Sequence, residues 1–152
     1  MQLLDLIETE AIQNDPKALH SFTKIQAILA DLKTRTIPVS LFSTINAYLT
    51  EINSSTLTGK ELEKLLKTKL SNLLKLLEKE LKLVPKNHYR TQWMLLGMSA
   101  FGLPLGVAYG IILDNLGLMG LGLPIGMGIG VAVGTAMDEK ARKAGNQLPC
   151  SA

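Results

Sequence analysis

The stretch WMLLGMSAFGLPLGVAYGIILDNLGLMGLGLPIGMGIGVAVGTAM, Trp93 to Met137, decides the fold. Its one charged side chain is Asp114. A helix rises about 1.5 Å per residue, so roughly 20 apolar residues cross the roughly 30 Å of bilayer hydrocarbon. The block therefore has room for two crossings joined by a tight turn. Leu113-Asp114-Asn115-Leu116-Gly117 lies at its midpoint, and Asp, Asn and Gly are turn formers. The spacing predicts one helix over 93–113, a turn at 114–115 and a second helix over 116–137.

Charge gathers on both sides of this block. The 152-residue chain has a net charge of +3. Residues 60–90 carry nine basic against four acidic side chains, and residues 138–152 carry three against two. Lys79, Lys82, Lys86 and Arg90 precede the first predicted crossing, and Lys140, Arg142 and Lys143 follow the second, whereas the Asp114 turn has no basic residue. This distribution predicts a multi-pass protein of the cell inner membrane, with both termini cytoplasmic and the turn facing outward. Tyr89, Arg90 and Trp93 stand where interface anchors belong, and Tyr109 suits the far interface. The plainer reading of the Lys-rich stretch is a solvated helix face. The first twelve residues include Asp5, Glu8 and Glu10 and lack the basic start of a secretory signal.

Twelve of the thirteen glycines lie between Gly97 and Gly145. Gly102, Gly106 and Gly110 step by four along the first crossing, and Gly122, Gly126, Gly130 and Gly134 do so along the second. Four helical residues turn through about 400°, so each set forms a slowly drifting stripe. In lipid, helices associate through close backbone approach rather than hydrophobic exclusion, and glycine permits that approach. In water each Gly would instead cost a helix about 1 kcal/mol relative to Ala. Gly128, Ala132 and Ala136 form a second small-residue row. Two such rows favour packing between hairpins of neighbouring subunits over packing within one hairpin alone. The block also repeats itself: Gly102-Leu103-Pro104-Leu105-Gly106 matches Gly122-Leu123-Pro124-Ile125-Gly126. Pro104 and Pro124 each remove a backbone donor and predict helix kinks.

The run from Gly134 to Leu148, Gly-Thr-Ala-Met-Asp-Glu-Lys-Ala-Arg-Lys-Ala-Gly-Asn-Gln-Leu, together with the ladder before it, resembles bacterial glycine-zipper family membrane proteins. Those close on a similar Met-Asp-Lys-Lys-Ala stretch and a Gly-x-Gln-Leu tail. The resemblance covers about residues 97–148. It implies a small helical membrane segment that self-associates, and it implies no chemistry.

Residues 1–88 read as a helical bundle. Leu3, Leu4, Leu6, Ile7 and Ile12 suggest a short first helix. Asp15-Pro16 predicts an N-cap followed by Pro at the first helical position. Ala18, Phe22, Ile25, Leu29 and Leu32 then form one apolar stripe, and Leu41, Ile45, Tyr48 and Ile52 another. Thr58-Gly59-Lys60-Glu61 matches a capping box. A long helix over 59–84 follows, with Leu62, Leu66, Leu70, Leu73, Leu77 and Leu81 as its core line and lysines on its other face. That line serves either as core packing or as a coiled-coil seam between subunits. Four helices with short loops predict a compact cytoplasmic bundle. The overall expectation is an all-α chain of three parts: the bundle over 1–88, a membrane hairpin over 89–137 and a basic cytoplasmic tail over 138–152.

Nothing in the sequence carries catalytic chemistry. His20 and His88 are far apart, and one cysteine, Cys150, excludes an internal disulfide or a Cys-based zinc site. Cys150 stands third from the end, one place off a prenylation motif. The glycines lack the Lys-Ser/Thr ending of a phosphate-binding loop. Interleaved Glu61, Glu63, Glu78 and Glu80 argue against nucleic acid as a partner of the Lys face. We therefore expect no catalytic residues, no cofactor, no metal and no enzymatic activity. The expected partners are the lipid bilayer and further copies of the chain. The leading expectation is a self-associating membrane protein whose sharper form is a homo-oligomeric pore, with Asp114 either a pore-mouth acid or simply a turn residue. The alternative is a non-conducting anchor whose residues 1–85 recruit a cytoplasmic protein.

Overall fold

The computed structural model describes residues 3–151. It forms two compact units. One comprises the chain up to Leu83 together with Leu148–Cys150; the other comprises Val84–Gln147 and Ser151. The chain is all-α, apart from one short strand pair among the described residues.

The first unit is built on three long helices. Asp15 caps α2 (Pro16–Lys33), its carboxylate accepting from the N–H groups of Lys17 (2.9 Å) and Ala18 (3.3 Å), with Pro16 in the first turn. Ala18, Phe22, Ile25, Ile28, Leu29 and Leu32 are its buried stripe. On α3 (Val39–Asn53) the buried line is Leu41, Ile45, Leu49 and Ile52. Tyr48, expected in that line, is only half-buried and lies beneath the ammonium of Lys69, 5.2 Å from its ring centroid. Lys69 also pairs with Glu51, so one side chain of α4 ties down two of α3. On α4 (Gly59–Leu81) Leu62, Leu66, Leu70, Leu73 and Leu77 are buried, and all belong to one core cluster with the stripes of α2 and α3. The leucine line is thus intramolecular core.

Four details depart from the periodicity. The first helix shrinks to a single turn, α1 (Glu10–Gln13), and residues 3–9 run without regular structure. The Leu4 N–H donates to Asn46 Oδ1 (2.9 Å) and the Ile7 N–H to Asn53 Oδ1 (3.0 Å). Asn46 and Asn53 are two helical turns apart, about 10 Å; three extended residues also span about 10 Å, whereas three helical ones reach only about 4.5 Å. Extended backbone alone meets both acceptors. The capping box at Thr58 stays open, with no side-chain bond, because Gly59 takes φ +57° and turns the chain at that point. Finally, α4 ends at Leu81 rather than at 84. Lys82 adopts φ 57°, its N–H donating to the Glu78 carbonyl (3.2 Å), and the residue before Pro85 is steered toward extended backbone.

The fourth departure is the strand pair. β1 (Val84–Lys86) and β2 (Gln147–Ser151) pair in parallel, Val84 with Gln147 and Lys86 with Ser151, with an irregular register between. Pro85 and Pro149 each lack a ladder donor, which keeps the pair short. The end of the segment read as a basic tail, Gln147–Ser151, is thus a strand. Leu148 is 0% exposed and belongs, with Cys150, to the core cluster of the first unit. Leu148→Ala in the full chain should cost about 2–5 kcal/mol. Urea unfolding in mild detergent would measure this, and a loss below about 1 kcal/mol would show that the strand is dispensable to the core.

The second unit is a helical hairpin. Its first arm joins α5 (His88–Gly97), a π-helical turn (Met98–Gly102) and α6 (Leu103–Ile112); its second joins a 3-10 segment (Leu116–Leu121) to α7 (Gly122–Lys143).

Candidate functional site: the glycine seam of the hairpin

Both arms are long and apolar enough to cross a membrane, His88–Ile112 and Met119–Lys143, each 25 residues or about 37 Å. At the open ends they outrun the predicted 93–113 and 116–137, because polar residues there continue the helices, whereas at the turn they stop one and three residues short. Between the arms, Asp114 takes φ 47°. Its N–H donates to the Ile111 carbonyl (3.3 Å) and that of Asn115 to the Gly110 carbonyl (3.0 Å). This pair of bonds is a Schellman closure with Asp in the left-handed place usually taken by Gly. Asn115 then accepts from the Gly117 N–H (3.0 Å) and starts the second arm. Asp114 is exposed in this turn.

The seam between the arms is glycine against glycine from Gly97 to Gly106, and glycine against the backbone of Tyr89–Met94 toward the open end. Gly97, Gly102, Gly106 and Gly110 are buried on one arm and Gly122, Gly126, Gly130 and Gly134 on the other. A Cβ on Gly134 would stand 2.5 Å from Arg90 Cα; one on Gly130 would stand 2.7 Å from the Trp93 carbonyl carbon and 2.9 Å from Met94 Cα. One on Gly126 would lie 2.6 Å from Gly102 Cα, and one on Gly122 would lie 2.6 Å from Gly106 Cα. These obstacles are backbone, so no rotamer change relieves them. Within the chain, the ladder brings the two arms into backbone contact.

Two seam residues escaped the spacing argument. Gly97 is five residues before Gly102, and five α-helical residues turn through about 500°, off the stripe. The π-helical turn Met98–Gly102 absorbs the extra residue and returns Gly97 to the seam. The turn immediately precedes Pro104, whose ring would otherwise meet the carbonyl four residues back. Pro124 lies in the first turn of α7, just after the 3-10 segment, so each proline stands at a change of helix type. The second missed residue is Asp138, 7% exposed and one further step of four beyond Gly134. Its two carboxylate oxygens accept from the N–H groups of Tyr89 (3.1 Å) and Arg90 (2.9 Å). Asp138 of α7 thus caps α5, whose own N-cap Asn87 makes no side-chain bond. The ladder itself carried the signal, since 122, 126, 130 and 134 lead to 138.

The outside of the hairpin reverses the usual order. Leu95, Leu96, Phe101, Leu103, Ile111 and Ile112 are 48–75% exposed, while the glycines are inside. Of the expected interface anchors, Tyr89 and Trp93 are half-buried and Arg90 is exposed. The second small-residue row, Gly128, Ala132 and Ala136, is exposed, with open space beside Gly128. At the far end, Gly145 at φ +72° closes α7: its N–H donates to the Arg142 carbonyl (3.1 Å) and that of Asn146 to the Ala141 carbonyl (2.9 Å).

Elsewhere the chemistry is sparse. His20 is exposed, on an open cleft of about 490 Å³ with Lys17, Ser21, Glu63 and Lys67. His88 stacks edge-on against Tyr89, ring centroids 5.2 Å apart, and Cys150 is buried. Among the described residues no group of three His, Cys, Asp or Glu side chains is placed to hold a metal ion. Compared with known proteins, the chain matches no family model, no curated protein and no solved structure.

Proposed function

We propose that this chain is an integral membrane protein whose two-span hairpin anchors a helical domain at the cytoplasmic face of a bacterial inner membrane. One observation supports this reading above the others. The hairpin buries glycine and exposes Leu, Ile and Phe on two helices of membrane-spanning length. In water that arrangement leaves a large apolar surface uncovered and gains little from its interior. In lipid the same surface is solvated and the close backbone contact supplies the cohesion. The basic residues at the open end, and their absence from the Asp114 turn, support placing both termini in the cytoplasm. The helical domain then serves to hold a protein partner at the membrane. Expression in a bacterial host tests this: the chain should resist alkaline carbonate extraction, and tags at either terminus should be shielded from external protease. Release into the soluble fraction, or a tag digested in intact spheroplasts, contradicts it.

Gly128, Ala132 and Ala136 favour a second reading, self-association of hairpins through this outward row, of which a pore with a ring of Asp114 side chains at its mouth is the sharper form. Proteoliposomes discriminate the two. Ion flux that Asp114→Asn alters supports the pore, whereas tight vesicles at high protein density support the anchor.

A further inference from the structure

We propose that the open end of the hairpin holds the headgroup of an anionic phospholipid, an inference that rests on the membrane reading above. Lys86, just before α5, and Arg142, in the last turn of α7, line a cleft of about 340 Å³ together with Asn87, Thr135 and Gln147, within the size range of ligand sites. Two acids also line it, and both are already engaged. Asp138 is buried and accepts from the Tyr89 and Arg90 N–H groups. Glu139 pairs with Lys143 at 3.0 Å and stands farther, 3.9 Å, from Arg142. Lys86, Arg90 and Lys140 form no ion pair among the described residues. The balance at this end is cationic, and a guanidinium and an ammonium lining one cleft are donors that phosphodiesters bind.

Depth selects a lipid over a soluble anion. The apolar block ends at Met137, and Arg142 follows five residues later on the same helix. That places it about 7.5 Å above the hydrocarbon, inside a headgroup layer roughly 5–8 Å thick. The helix ending at Lys143 also points the negative end of its dipole here, and the three cations of its last turn, Lys140, Arg142 and Lys143, outweigh that partial charge.

The test uses the full chain in nanodiscs made from an equimolar mixture of phosphatidylglycerol and phosphatidylcholine, with the retained lipids counted by native mass spectrometry. Phosphatidylglycerol should be enriched over the bulk. Lys86→Gln and Arg142→Gln should each lower that enrichment about fivefold, near 1 kcal/mol per charge. Arg142→Lys should keep most of it, and Lys64→Gln, on α4, should change nothing. Excess inorganic phosphate should leave the enrichment intact. Equal retention of both lipids, or displacement of phosphatidylglycerol by phosphate, overturns the proposal while leaving the membrane reading standing. A chain that enters no nanodisc overturns both.

Discussion

Gly130→Leu will separate the two arms of the hairpin, with a loss of at least about 3 kcal/mol, the upper end for overpacked sites. The expectation follows from what the new side chain meets. Its Cβ would overlap the backbone of Trp93 and Met94, with Trp93's carbonyl carbon 2.7 Å away. Those atoms lie in a helix and cannot swing aside. The arms must part by more than the width of a methylene, and in lipid that forfeits the close contact that holds them. Trp93, the chain's one tryptophan, lies beside the substitution, so its fluorescence during a denaturing-detergent titration reads the separation directly. Gly128→Leu is the matched control. It sits on the same helix, with nothing within 4 Å of a Cβ, and should change hairpin stability by no more than about 0.5 kcal/mol. If Gly128→Leu instead abolishes a detergent-stable oligomer while leaving the hairpin intact, the outward row is the subunit contact. If Gly130→Leu unfolds no more easily than wild type, the seam is not where the arms meet.

Asp138→Ala will weaken the open end of the hairpin by about 2–4 kcal/mol, because it strands two partly buried N–H groups that a charged acceptor now satisfies. The carboxylate also sits at the positive end of the α5 dipole, where a negative charge is favourable. Asp138→Asn keeps one acceptor oxygen and should lose roughly half as much. Amide exchange localises the effect: the Tyr89 and Arg90 amides should exchange faster in Asp138→Ala, with those near Gly106 unchanged. Unaltered protection at Tyr89 and Arg90 would mean that the cap does not hold α5.

How much of this could be read in advance follows from which rules are local. Hydropathy and a fixed step of four located the arms and seven glycines of the seam, because both patterns belong to a single helix. Gly97 stayed hidden because a π-helical turn breaks the step and leaves no mark in composition. Asp138 stayed hidden because its acidity assigns it to a solvated tail, while its position on the stripe assigns it to the seam. In the N-terminal unit the stripes of α2, α3 and α4 were legible, since each is an amphipathic repeat. The extended start was not, because Asn46 and Asn53 select it across a tertiary contact. Likewise the last strand, with Leu148 and Cys150 in the core, depends on a pairing some sixty residues away in the chain. Bonds between side chains of one element and backbone of another have no local period.

If both arms are immersed in lipid, glycine inward and Leu, Ile and Phe outward, water reaches the backbone at the Asp114 turn and not along the arms. Hydrogen–deuterium exchange of the full chain in nanodiscs reads this difference. Two protected blocks, over 93–112 and 123–137, should flank fast exchange at Asp114 and Asn115. Exchange along the two arms as fast as at the turn would contradict their immersion.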